Sequence, residues 1–94
     1  MAVSWTRLAD RDLVAAHGWI ARDNPNAAIE AILRVEEATG RLADFPHMGR
    51  AGRAAGTREL PVAGTPFLVV YAVSGRDVRV LRVLHGAQNW PEWS

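Results

Sequence analysis

The chain has 94 residues, 49% hydrophobic and 22% charged, so it can form one small folded domain and is too apolar for a disordered tail. It has no cysteine, which excludes disulfides and thiolate chemistry. All eleven basic residues are arginine and the formal net charge is only +1, so affinity based on neutralising many phosphates is not expected.

The first half of the chain predicts a helical hairpin over about residues 6–44. Residues 2–5 can form a short strand, and Thr6 can cap a first helix, whose apolar residues recur at helical spacing. A second helix is predicted after Asn24, a good N-cap, because Pro25 suits the first helical position.

The second half predicts a surface loop followed by a sheet. Residues 45–57 are rich in glycine and lack an apolar period, which is typical of a loop. Strands are predicted within residues 58–85, at 58–62, 67–73 and 78–85. Their short connections favour antiparallel pairing, so the predicted fold is α+β, with the hairpin packed on one face of a small antiparallel sheet.

The C-terminal tail is predicted to span residues 86–94, and the whole chain, residues 1–94, to be one domain. The apolar runs are too short to cross a bilayer, and the N-terminus lacks the pattern of a signal peptide. We therefore expect a cytoplasmic protein without a membrane partner.

Motifs distributed from about residue 3 to residue 90 carry a family resemblance. They are Ala9, Asp12-Leu13, Asp23-Asn24-Pro25, Leu42, Pro46, Gly49-Arg50, Gly56-Thr57-Arg58-Glu59-Leu60, Tyr71 and Val83-Leu84-His85-Gly86. In this order and spacing they resemble the ParE/RelE toxin superfamily of bacterial type II toxin–antitoxin systems. The resemblance implies a β-α-α-β-β-β fold and a hetero-oligomer with a cognate antitoxin, ParD-like or of another family.

One branch of the superfamily, RelE-like, is described as ribosome-dependent mRNA endoribonucleases. Such chemistry needs a proton acceptor, a proton donor and cations at the phosphate. The candidates here are Arg58, Tyr71, Arg82 and His85. Strand alternation directs Arg82 and His85 to opposite faces unless a bulge intervenes, and the chain has no lysine. These features weigh against the ribonuclease hypothesis.

The other branch, ParE-like, is described as poisons of DNA gyrase that act by binding. The long hairpin and near-neutral charge favour this branch, for which no catalytic residue and no cofactor are predicted. Direct binding of nucleic acid is not expected. A third hypothesis is an inactive relative that only binds a partner.

Several residues are candidates for contact with a protein partner. They are Arg50, Arg53, Arg58, Arg79, Arg82, Trp90 and Trp93. The alternative for the arginines is solvated surface charge or ion pairing, and for the two tryptophans a hydrophobic lid folded back on the domain.

Structural roles are open for two of the ribonuclease candidates. His85 can close a strand by hydrogen bonding, and Tyr71 can be a core residue whose hydroxyl lies at the rim. No metal site is predicted, because His17, His47 and His85 fall in three separate elements.

Overall fold

The computed structural model describes residues 2–85, which form two helices and five strands. In chain order these are β1 (Val3–Trp5), α1 (Arg7–Ala21), α2 (Pro25–Arg41), β2 (Arg50–Ala51), β3 (Arg58–Pro61), β4 (Phe67–Ser74) and β5 (Asp77–His85). The strands form one sheet in the order β1-β5-β4-β3-β2. The two helices pack against each other, α1 against β5 and α2 against β4.

Both predicted helix starts are present. The Thr6 side chain accepts a hydrogen bond from the Ala9 N–H at 3.0 Å, and the Asn24 side chain accepts one from the Ala27 N–H at 3.1 Å. Pro25 occupies the first turn of α2, where its missing N–H costs no intrahelical bond. Within residues 2–85 no helix is long and apolar enough to cross a membrane.

The three main strands pair as predicted. β3 and β5 are both antiparallel to β4, with Arg58 opposite Tyr71 and Val83 opposite Val69. β1 instead pairs parallel with β5, so the sheet is mixed rather than wholly antiparallel. Parallel pairing is possible here because the whole helical hairpin lies between the two strands in the chain and provides the long crossover that such pairing requires.

The predicted loop over residues 45–57 contains one strand. β2 pairs antiparallel with β3, with Arg50 opposite Glu59 and Ala51 opposite Arg58. The prediction of an uninterrupted loop was therefore wrong at these two positions. A strand of two exposed residues has no apolar alternation, so its sequence carries no periodic signal.

The core lies between the hairpin and the sheet face that carries Val69 and Val83, here called the front face. Strand alternation turns Leu68 and Leu84 to the opposite, back face, where both are also buried. Small and apolar residues form the buried side of the hairpin: Ala9, Ala16, Ala28, Ala31, Val35 and Ala38.

Candidate partner-binding site

α1 covers the edge of β5 that β1 leaves uncovered. β1 pairs with β5 only from Val78 to Val80. Beyond that point the Thr6 hydroxyl donates to the Leu81 carbonyl at 2.8 Å, and the Asp12 carboxylate accepts from the Val83 N–H at 2.9 Å. Side chains of the helix therefore satisfy backbone groups that a neighbouring strand would otherwise bind.

Asp12 also forms a two-pronged ion pair with Arg82. Arg82 Nε lies 2.7 Å from one carboxylate oxygen of Asp12, and Arg82 Nη2 lies 2.9 Å from the other. The hydrogen bonds that Arg82 donates to Asp12, together with the negative charge of that carboxylate, raise the pKa of Arg82 despite the opposing effect of burial. The two side chains are only 15% and 18% exposed, so this pair is better shielded from water than an ordinary surface salt bridge.

A β-bulge in β5 determines which way its last residues point. Val70 pairs with Arg82 but the next residue of β4, Tyr71, pairs with Val80, so Leu81 is the extra residue. Val80 and Val83 are thereby both in the front-face core although they are three positions apart. The bulge precedes Arg82, so the alternation from Arg82 to His85 is regular and places these two residues on opposite faces.

His85 lies at the front face, at the end of an open apolar groove. Its ring makes edge contacts with Trp19 at 5.5 Å and with Phe67 at 5.9 Å between centroids. The groove has a volume of about 460 Å³ and is lined by Asp12, Ala15, Ala16, Trp19, Phe67, Val83 and His85. We call it the α1–β5 groove. Trp19 is 58% exposed and gives the groove a large apolar wall in contact with solvent.

The ribonuclease candidates do not come together in one site. Tyr71 is fully buried, and its hydroxyl donates to the Pro46 carbonyl at 2.8 Å and accepts from the Gly49 N–H at 2.9 Å. Arg58 lies opposite Tyr71 and donates to the Gly49 carbonyl at 2.8 Å. His85 lies opposite Phe67, four residues from Tyr71 along β4, which is about 13 Å along the strand.

The loop arginines are organised around a buried carboxylate. Glu59 is 2% exposed, accepts from the Arg53 backbone N–H at 2.8 Å and lies 3.4 Å from the Arg50 guanidinium. The Arg50 side chain is still 62% exposed, so it remains accessible to a partner. Arg79 is exposed on β5, opposite Ala72.

The predicted C-terminal tail, residues 86–94, and the proposed partner contacts of Trp90 and Trp93 lie outside the described residues, which end at residue 85. Within residues 2–85 no group of three histidine or carboxylate side chains is placed to hold a metal ion.

Sequence reasoning missed Asp12 as a member of the site. One signal was available, because Asp12 lies three residues after Ala9 and four before Ala16, both on the buried stripe of α1. A carboxylate beside a buried stripe requires a donor or a cation, but the sequence alone does not identify Arg82 as that partner.

Comparison with known proteins decides the family. The protein-family model described as the ParE toxin of type II toxin–antitoxin system, parDE, matches residues 3–90 of the chain. The chain belongs to the ParE toxin family. It is therefore a toxin of a type II toxin–antitoxin system and has an antitoxin as its partner.

Individual relatives of the chain are also named as toxins. The chain is 40% identical over 90 residues to the predicted toxin Y4kP of Sinorhizobium fredii, covering 96% of this chain and 93% of that protein. It is 36% identical over 86 residues to toxin RelE2 of Caulobacter vibrioides, covering 92% of this chain and 96% of that protein. A solved structure of the chromosomal ParDE system from P. aeruginosa is similar, with a TM-score of 0.77, 28% identity and coverage of 88% and 92%.

In this ParE-family chain the groove and the ion pair lie side by side. Asp12 is both a wall of the α1–β5 groove and the partner of Arg82. The arrangement can bind an apolar side chain beside a fixed pair of charges. Two of the four ribonuclease candidates lie elsewhere, because Tyr71 and Arg58 are bonded to residues 46–49.

Proposed function

We propose that this ParE-family toxin arrests growth by binding DNA gyrase in the bacterial cytoplasm and not by cleaving RNA. The separation of the ribonuclease candidates carries this proposal. Tyr71 and Arg58 are bonded to residues 46–49, Arg82 is bonded to Asp12, and His85 lies four residues further along the sheet. A toxin that acts by binding needs no such convergence.

We also propose that the antitoxin neutralises the toxin by placing an apolar side chain in the α1–β5 groove. Exposed apolar surface that is concave and bordered by polar groups is typical of a protein-binding site. Trp19 supports this role, because tryptophan is among the residues that contribute most to binding free energy at protein interfaces. An amphipathic segment of the antitoxin can place such a side chain in the groove from its open side, beside Trp19 and His85.

A supercoiling assay tests the target. Purified gyrase, ATP and relaxed plasmid are combined with increasing toxin freed of its antitoxin. We expect loss of supercoiling and accumulation of cleaved DNA, and the intact toxin–antitoxin complex is the matched control that should leave gyrase active. Folded toxin without effect at a large molar excess would rule out gyrase as the target.

A RelE-like ribonuclease is the second candidate function. Similarity to the Caulobacter protein named toxin RelE2 favours it. Translating ribosomes with a defined mRNA, followed by primer extension, would detect cleavage. Under the gyrase proposal, His85→Ala retains toxicity. If the wild-type toxin cleaves the mRNA and a folded His85→Ala variant does not, the ribonuclease becomes the favoured function.

Induced expression without antitoxin addresses the third hypothesis, an inactive relative. The toxin should stop growth, and co-expression of the antitoxin should restore it. Normal growth in the presence of folded toxin would leave only a partner-binding role.

A further inference from the structure

A second exposed surface lies just after α2, at a tight turn. The Met48 N–H donates to the Phe45 carbonyl at 3.2 Å, which closes a β-turn with Pro46 in its favoured second position. The Phe45 N–H donates to the Arg41 carbonyl at 2.9 Å and joins the turn to the end of the helix. Phe45 and Met48 are therefore close neighbours in space.

The buried Tyr71 and the half-buried Arg58 hold this turn in place. Tyr71 bonds to both Pro46 and Gly49 through its hydroxyl, and Arg58 donates to the Gly49 carbonyl and, at 3.4 Å, to the His47 carbonyl. Gly49 is required for this approach, since a Cβ there would lie 2.6 Å from the Tyr71 hydroxyl oxygen. Most of the turn's backbone groups thus have fixed partners.

The fixed turn presents large apolar side chains to solvent. Phe45 is 63% exposed and Met48 is 44% exposed, while the nearby Arg50 side chain is 62% exposed. Aromatic residues, methionine and arginine are the types enriched at protein interfaces. Because the backbone is already ordered, a partner that binds here pays less conformational entropy. We call Phe45, Met48 and Arg50 the turn surface.

We propose that the turn surface is a second binding site for the antitoxin, which takes an acidic segment carrying an apolar side chain. The Arg50 side chain is exposed on this surface, whereas the Glu59 carboxylate, 3.4 Å from its guanidinium, is buried. An acidic segment complements this charge. The weak net charge of the whole chain favours a protein over a nucleic acid as the occupant.

The two antitoxin sites lie near opposite edges of the sheet. β5 borders the groove, and β2 follows the turn three strand spacings away. With the offset along the strands, the separation is on the order of 20 Å, which six or more extended residues can span. A single antitoxin chain that occupies both sites binds more tightly than through either alone, because the second contact becomes intramolecular. This inference rests on the proposed docking in the groove.

The test is a competition assay with the cognate antitoxin that co-purifies with the toxin. Each full-length toxin variant is titrated against labelled wild-type toxin bound to the antitoxin, and the displacement of the label gives the variant's affinity. The double variant Phe45→Ser with Arg50→Glu should bind antitoxin at least about tenfold more weakly and still inhibit gyrase. Leu33→Ser is the matched control, since Leu33 is 59% exposed on α2, outside both sites, and this variant should bind normally. Met48→Ser alone provides a milder version if the double variant melts at a lower temperature.

The outcomes separate this inference from the groove proposal. Antitoxin affinity within twofold of wild type for both turn variants would overturn the turn surface and leave the groove untouched, whereas Trp19→Ala tests the groove by itself. Loss of gyrase inhibition with unchanged antitoxin affinity would assign the turn to the target and overturn the inference. Binding of a single-stranded 20-nucleotide RNA that disappears in the turn variants, again with unchanged antitoxin affinity, would also overturn it.

Discussion

The two edges of the sheet use charged residues in different ways. At the β5 edge, Asp12 and Arg82 pair with each other while Asp12 also binds backbone, so both charges are withdrawn from solvent beside an apolar groove. At the β2 edge, Glu59 is buried but Arg50 remains 62% exposed above it. An arginine near a functional surface can therefore stabilise the fold or be available to a partner. Burial of the carboxylate with which it pairs does not distinguish these two cases, whereas the exposure of the arginine itself does.

The largest expected effect is at the β5 edge. Asp12→Ala leaves the Arg82 guanidinium without its carboxylate and the Val83 N–H without its acceptor, so we expect a loss of about 2–4 kcal/mol in the free energy of unfolding. Urea denaturation measures it. Glu37→Ala, an exposed carboxylate on α2, is the control and should change stability little. Equal stability of the two variants would show that the ion pair contributes nothing to the fold.

The raised pKa of Arg82 determines how the stability difference between wild type and Asp12→Ala depends on pH. A cation whose pKa is raised on folding contributes stability that is complete below its unfolded pKa and is lost only as the pH rises through the folded value. Because arginine titrates far above neutrality, the difference between wild type and Asp12→Ala should stay constant from about pH 6 to about pH 10. A difference that declines within this window would contradict the assignment.

Trp19→Ala in the α1–β5 groove should weaken antitoxin binding more than it lowers the stability of the fold. Trp19→Ala removes an apolar wall that is 58% exposed, so we expect a stability change of about 1 kcal/mol or less. Antitoxin affinity should fall about 30-fold, equivalent to about 2 kcal/mol, as for a tryptophan at the centre of an interface. Isothermal titration calorimetry measures the affinity, and Val14→Ala, exposed elsewhere on α1, is its control.

Tyr71→Phe should loosen the turn at the opposite edge. The variant loses the bonds to Pro46 and Gly49, and we expect a destabilisation of about 1–2 kcal/mol together with faster amide exchange in residues 46–49. Thr39→Ala is a matched control, because it removes a buried hydroxyl bonded within α2. If antitoxin affinity falls for Tyr71→Phe but not for Thr39→Ala, order in the turn contributes to binding.

The smallest effect is expected at an ion pair that belongs to neither edge. Glu30 and Arg34 lie one turn apart on α2 at 3.1 Å, with exposed side chains. Glu30→Ala should change stability by about 0.5 kcal/mol or less. A loss as large as that of Asp12→Ala would mean that burial does not explain the difference between the two pairs.

The parts of the fold that depend on local chemistry could be predicted from the sequence. Thr6 and Asn24 are good N-caps in any protein, and Pro25 marks a helix start for a reason contained in the residue itself. The short connections likewise determine that β3, β4 and β5 are antiparallel.

The site depends on contacts between distant residues, which a single sequence does not encode locally. Asp12 and Arg82 are 70 positions apart, and Tyr71 meets Pro46 across 25 positions. Tyr71 was recognisable as a core residue, but not as the group that fixes a turn. The bulge at Leu81 has no residue signature either, although it sets the direction of every side chain after it in β5.

The pairing of β1 with β5 has a consequence for synthesis of the toxin. Among the described strands β1 is hydrogen-bonded only to β5, and Thr6 and Leu81, which bond to each other beside this pairing, are 75 positions apart. The first strand therefore waits, at about 5–20 residues per second of translation, until residues 78–80 of β5 have been made. The sheet can be completed only after β5 has emerged from the ribosome, so a nascent toxin lacks its finished binding surfaces until that point.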